Sequence, residues 1–498
     1  LYSVFFLSSC YNEKNSKSSS AAANNTIGVS TPQIQQSAPI TSIKVPFSGE
    51  SGFNPYTASS QYNKIISSLL YDPLVKLNVK YQPENWLCDN ILINDKTVTV
   101  ILRNNILFSD GSTVTANDVV SSFIFAKSTG SYYFRSLYNI TAARALNNNT
   151  IVFDLLSPDK YAANLLTFPI VKKGTEQQQI PVGSGRFVFD SAKKDKLVAN
   201  KNHYFGSGKI ETVELVSLES DDMLDINLKL GNIDCYYTDT EAGNFSKSPS
   251  SGTTVGLNNL IFLGVNPGSR VLSNQQVRAA ISSAIDRAAI ASAVYSGKAY
   301  GTVLPYNPQF YDLDKINIDT AVNLANSTSL LEQAGYTKFS QSGIRSDGTN
   351  SLVLNIIVNK DNIYKCNIAN MIANNLAKAG INCVIKEYEF TQFKQEIINS
   401  RYDLYIGEVK LYNNMDILPL MTNTISNEFG NLASQQLIAA YNGSRSGNVA
   451  NAEFLDLFIK ELPFIPLVFK EATVSFSRNF SSHIVATEQD IFYNINNW

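Results

Sequence analysis

Histidine is almost missing from this chain: His203 and His483 are the two in 498 residues. They stand far apart, without metal-ligand spacing, so a His-built zinc site is excluded and no metal or cofactor is expected. An excess of basic charge is missing too. Lys plus Arg number 40 against 42 Asp plus Glu, a formal net charge of −2, whereas a dedicated nucleic-acid binder carries a strong basic surplus. No uncharged apolar run reaches 18 residues, so no segment reads as a membrane span. Enzyme signatures are also absent. There is no Gly-x-Ser-x-Gly elbow, and Gly297-Lys298 lacks the upstream glycine of a P-loop. Ser191-Ala192-Lys193-Lys194 has a Ser-x-x-Lys spacing, but no Ser-Asp-Asn or Lys-Thr-Gly accompanies it. No enzymatic activity is expected.

What is present is ample apolar material. Hydrophobic residues make up 44% and charged residues 16%, and the length suits about three domains of roughly 150 residues each. The first ten residues set a compartment. Leu1 to Cys10 resembles the end of a signal peptide, and Leu7-Ser8-Ser9-Cys10 resembles the bacterial lipobox, in which the cysteine receives lipid. Residues 11–42 are rich in Ser, Asn, Ala and Gln, the make-up of a flexible tether with a reach of roughly 30 Å. The reading is an exported protein held to the outer face of a cell membrane, or in a periplasm, by Cys10. The other cysteines are Cys88, Cys235, Cys366 and Cys383. Cys366 lies near the start of a helix expected over 363–379, roughly 20 Å along its axis from Cys383, so the two are expected as reduced thiols.

Alternation of Val98, Val100 and Leu102 with Thr97, Thr99 and Ile101 marks a strand, paired through Asn94-Asp95 with Asn90–Ile93. Asp110-Gly111 signals a turn, and Thr115 with Asp118 makes a capping box that opens a helix carrying Val119, Val120 and Phe123. A small-residue helix is expected over 275–294. Strands at Leu352–Val358, Ile381–Ile385 and Asp403–Val409 alternate with helices at 363–379 and Thr391–Ser400, a βαβαβ order that implies an α/β domain. Two strands close the chain, Pro463–Phe469 and Thr473–Ser477.

Phe108 to Phe123 matches the pattern F-x-D-G-x-x-V/L-T-A-x-D-V-V-x-S-F. With it, in fixed order, come Phe53-Asn54-Pro55, Leu69-Leu70-Tyr71-Asp72-Pro73-Leu74, Gly183-Ser184-Gly185-Arg186-Phe187 and Asn202-His203-Tyr204-Phe205. Leu230-Gly231-Asn232-Ile233-Asp234, Leu263-Gly264-Val265-Asn266, Val277-Arg278-Ala279-Ala280-Ile281 and Ala284-Ile285-Asp286-Arg287 continue the series. Together, over roughly 43–498, they resemble the extracytoplasmic solute-binding proteins of oligopeptide and dipeptide ABC transporters, bacterial solute-binding protein family 5, many of them lipoproteins. Most of these residues are turns, caps and packing faces, and none says which solute is carried.

The resemblance implies a two-lobed α/β fold of the periplasmic-binding-protein type (type II, the large cluster C form) with an extra subdomain inserted in lobe one. Lobe one would comprise 43–60, 181–265 and 463–498, the inserted subdomain 61–180, and lobe two 267–462, with crossings near Asn266 and Glu461–Pro463. It also implies a peptide ligand in the cleft and delivery to permease subunits, indirectly to their ATPases. The chain would act as a monomer, without nucleic acid. The ligand would lie between Ser59-Ser60-Gln61-Tyr62 and Glu408-Val409-Lys410-Leu411-Tyr412. The family often carries W-x-x-D here, its Asp pairing with the ligand's α-ammonium; this chain has Val409 in the Trp position and Tyr412 in the Asp position. Glu408 and Asp416 are the nearest carboxylates. Either would replace the missing charge, or each would be a solvated loop residue. A non-peptide solute on the same fold, or a surface sensing or interaction role, stays open.

Overall fold

The computed structural model describes residues 40–206, 208–218, 220–239, 252–317, 319–422, 429–480 and 484–498. Cys10, most of the tether and His483 lie outside them.

Three sheets organise the described chain. In the first, Ser42–Phe47 runs parallel to Thr212–Ser217, followed by Lys196–Ala199 and Phe187–Phe189 in antiparallel order. The second is an antiparallel set in the order Cys88–Asn94, Thr97–Leu102, Thr150–Leu155, Ile140–Ala145. Its central strand buries Val98, Val100 and Leu102, as the alternation requires. The helix beside it, Ala116–Ala126, opens on the expected capping box: Asp118 Oδ2 accepts from the Thr115 N–H at 2.8 Å and from its hydroxyl at 2.6 Å. Gly111, at φ 84°, supplies the left-handed residue of the preceding turn.

The third sheet has seven strands and spans two parts of the chain. Gly252–Val265 and Phe464–Phe476 pair antiparallel along most of their length. One edge of Phe464–Phe476 takes Cys235–Thr238 and Ala299–Gly301. On the other side Gly252–Val265 takes Leu404–Lys410, and Val353–Asn359 and Asn382–Tyr388 then join in parallel. The helices Ile363–Lys378 and Phe390–Ile398 are the crossovers of the expected βαβαβ run. The ladder between the long strands breaks between Gly256 and Leu260, where a bulge interrupts it.

Two expectations change. The helix over 275–294 is two helices, Gln275–Ala284 and Arg287–Tyr295, because Asp286 leaves the helical path and caps the second, accepting the Ala289 N–H at 2.8 Å. The closing strands Pro463–Phe469 and Thr473–Ser477 are one strand, Phe464–Phe476, buried along its whole length. Lys470 and Glu471 lie in the gap between the two expected strands, but Lys470 pairs with the half-buried Glu408 at 2.7 Å, so the strand continues. The four cysteines are free, Cys88, Cys235 and Cys366 buried and Cys383 half-buried, as expected for reduced thiols.

Buried charge concentrates where the carboxyl-terminal segment meets the body. Asp490 accepts from Lys76 at 2.7 Å, Arg186 at 2.8 Å and the Ser68 hydroxyl at 2.9 Å. Beside it Asp72 takes the Trp86 indole N–H at 2.8 Å and contacts His203 Nε2 at 3.2 Å.

Candidate functional site

The two segments singled out from sequence sit on different supports. The Ser59 and Ser60 backbone N–H groups both donate to Ser51 Oγ at 3.1 Å, which fixes the turn into the helix Gln61–Leu70. Ser60 is the cap residue of that helix, Gln61 is its first residue and is exposed, and Tyr62 packs half-buried on a small cluster of Leu224, Leu228, Ile233 and Tyr236.

The second segment leaves the strand Leu404–Lys410 and turns under residues from elsewhere in the chain. Strand alternation puts Glu408 and Lys410 on one face and Val409 on the other, where it packs against the core. Glu408 is clasped: Lys365, at the start of the helix Ile363–Lys378, pairs with it at 3.0 Å and Lys470 at 2.7 Å. Burial opposes the charge, yet the two lysines overcome it and hold the carboxyl down at about 2. Lys410 is exposed and pairs with Glu488 at 3.0 Å. The Leu411 N–H donates to the Asn258 carbonyl at 2.9 Å, and Tyr412 packs against Tyr138 with ring centroids 5.8 Å apart.

Asp416 differs from Glu408 in kind. It is 6% exposed, and its oxygens accept from the Tyr138 and Tyr441 hydroxyls and from the Leu418 N–H at 2.9 Å. Burial, together with Asp416, pushes the Tyr441 phenol far above its ordinary range, so it remains a donor. The neighbouring cation, Arg445, is taken by Asp159 at 2.6 Å. Asp416 thus has donors around it but no ion pair among the described residues. Neither carboxylate is the solvated loop residue that the sequence left open as an alternative.

Tyr138, Tyr441, Lys365 and Lys470 could not be found from sequence, being far in the chain from the segment they meet. The one signal was Lys470-Glu471 inside an otherwise apolar run.

Comparison with known families now bears on this geometry. The family model described as bacterial extracellular solute-binding proteins, family 5 Middle, matches residues 82–424. The chain belongs to that family. Among curated relatives, the oligopeptide-binding protein AppA of Bacillus subtilis (strain 168) is 24% identical over 431 residues, covering 80% of this chain and 77% of that protein. Other relatives are covered over 49% to 59% of their own length. Among solved structures, the murein tripeptide binding protein MppA in its unliganded open form aligns with a TM-score of 0.75 at 17% identity, covering 89% of this chain and 94% of that one. NikA from Brucella suis, in complex with Fe(III)-EDTA, aligns at 0.66 and 16% identity over 88% and 96%. At such identities the likeness shows the fold: the two-lobed α/β architecture of the family, as expected from the motifs. Family 5 members are extracytoplasmic solute-binding proteins of ABC transporters. Among the described residues no helix is long and apolar enough to cross a membrane, and no group of three or more His, Cys, Asp or Glu is placed to hold a metal ion.

Proposed function

We propose that this chain captures peptides between its two lobes and delivers them to a membrane permease, with Asp416 taking the ligand's α-ammonium. The observation that carries this reading is the contrast between the two candidate carboxylates. Glu408 already has two cationic partners, whereas Asp416 is buried with hydroxyl and amide donors only. A buried carboxylate favours a cationic partner, and an ammonium with three N–H donors supplies one. Tyr138, which is 38% exposed, is the donor that gives way as the ammonium arrives; Tyr441, 2% exposed, stays. Ser59–Tyr62 and Val409–Tyr412 then flank the peptide, whose side chains can vary while its terminus is held. A relative that carries an oligopeptide-binding name supports the peptide class.

Titration of a peptide and its N-acetylated form on the native chain and on Asp416→Asn tests this. Losing the Asp416 charge leaves a buried ammonium unpaired, a penalty of about 3–5 kcal/mol, or hundreds-fold in Kd. Acetylation should cost the native chain a comparable amount and the variant little more. Equal affinity for both peptide forms on the native chain refutes the role of Asp416.

Anchoring through Cys10 completes the proposal, on the strength of the lipobox Leu7-Ser8-Ser9-Cys10 and the polar stretch after it. Cys10→Ala should move the protein from the membrane fraction to the soluble one with peptide affinity unchanged. Membrane fractionation identical to native removes the anchor from the reading.

A further inference from the structure

The long strand Phe464–Phe476 carries Glu471 and Thr473, two residues apart and therefore on one face. Each is 4% exposed, yet Glu471 Oε1 and Thr473 Oγ1 make no hydrogen bond among the described residues. A buried carboxylate oxygen left without a donor is costly, and one such atom in a native fold calls for a water, an ion or a ligand. Two side by side make a place. Across the ladder, Thr254 faces Thr473 and is exposed, so the position opens to solvent, while Gly256 faces Glu471.

The surroundings are polar and aromatic. Tyr300, on the edge strand Ala299–Gly301, accepts from Gln309 Nε2 at 3.0 Å. Burial, its hydrogen bond to the Glu471 carboxylate and the Glu471 charge push its phenol up to about 12, so it stays neutral and serves Glu471 as a donor, leaving Oε1 the oxygen without one. Gln309 lies over the strand because Gly256 is bare: a Cβ there would stand 2.0 Å from Gln309 Oε1. Lys298 is the cation that Glu471 attracts, but its contact is through the backbone, its carbonyl accepting the Glu471 N–H at 3.0 Å. Among the described residues Glu471 has no ion pair.

One carboxylate, one hydroxyl and a phenol ring call for a small group with several N–H donors and a positive charge. We propose that Glu471, Thr473 and Tyr300 form a second binding position, on the paired long strands, which takes a primary ammonium group. Its source is a free alkylamine or the lysine side chain of a bound peptide. The position is independent of Asp416, which belongs to the turn after Leu404–Lys410.

The test is calorimetric titration of the full chain carrying Asp416→Asn, so that only this position is read, at constant ionic strength. Propylammonium should bind saturably. Tetramethylammonium, which has the charge but no N–H, should bind about tenfold more weakly or not at all. Adding Glu471→Gln should weaken propylammonium by about tenfold or more, and Thr473→Val by a few-fold. Thr473→Val also serves as the readout should Glu471→Gln fail to fold. Ala-Lys-Ala tighter than Ala-norleucine-Ala, both N-acetylated, identifies the peptide source; equal affinity with propylammonium still binding identifies the free amine. The proposal is overturned if propylammonium does not saturate, which leaves an ordered water only. Binding unchanged by both Glu471→Gln and Thr473→Val overturns it too, as does binding that emerges only once Lys298→Met is added, which would mean that Lys298 fills the place itself.

Discussion

Two buried charged regions of this molecule follow opposite rules. Around Asp490, Lys76 and Arg186 contact its carboxylate and His203 contacts the neighbouring Asp72, so each acid has a basic neighbour. Burial works against the charge of Asp490, but Lys76 and Arg186 outweigh it and keep the carboxyl below its ordinary value. Along the long strands and the turn beyond Leu404–Lys410, acids are buried with partial satisfaction: Asp416 with phenols and an amide, Glu471 with one oxygen unmatched. Pairing of charges holds the first region together, although Arg186 Nε has no hydrogen-bond partner among the described residues. Incomplete pairing leaves the second able to gain from a solute that brings the missing donors. Glu408 marks the boundary between them, a carboxylate in the segment proposed to face the solute that the fold itself has saturated.

This contrast can be broken by mutation, and the largest effect is expected at Asp490. Asp490→Asn strands Lys76 and Arg186 in the interior, so unfolding free energy should fall by about 3–5 kcal/mol. Urea denaturation of native and variant measures it, and a midpoint shift worth under about 1 kcal/mol would mean that the region is no more than a surface-grade pair. Asp416→Asn should behave in the opposite way. Tyr441 and the Leu418 N–H can still bond an amide oxygen and the half-exposed Tyr138 hydroxyl can turn to accept from the amide NH2, so stability should move by less than about 1.5 kcal/mol while peptide affinity collapses. A stability loss as large as that at Asp490 would erase the distinction.

The smallest effect concerns acid. Glu408 titrates at about 2 in the folded chain against an ordinary 4.5, so the unfolded state binds more protons between those values. Its contribution is therefore fully present above about pH 4.5 and is lost as pH falls toward 2. In that window the slope of stability against pH should be shallower in Glu408→Gln than in native, by up to one proton. Equal slopes would place Glu408 outside the paired class.

Much of the fold was legible because local signals and packing agreed. Asp110-Gly111 and the Thr115–Asp118 box are each settled within a dozen residues, and each strand of the βαβαβ run pairs with another from the same run. Asp286 shows where that fails: inside a small-residue, apolar-faced stretch a single aspartate can cap as well as continue a helix, and here Asn375, from another helix, meets its N–H at 3.0 Å. The site was half legible. Asp416 could be named as a candidate, but its worth as an anchor depends on Tyr138 and Tyr441, which no spacing ties to it. Glu408 was equally plausible until Lys365 and Lys470 were seen beside it.

The strand Phe464–Phe476 has one more consequence, for how the protein is made. It is internal to the seven-stranded sheet, yet it leaves the ribosome long after the strand it pairs with. Its partner strand ends at Val265, roughly 200 residues earlier. At about 5–20 residues per second, Gly252–Val265 waits some 10–40 s for the strand that covers its other edge. During that interval the growing chain presents an apolar, half-paired ribbon that holdase chaperones would recognise. The large sheet therefore closes late, well after its first long strand has been made, so the stability of its centre depends on residues that arrive last to it.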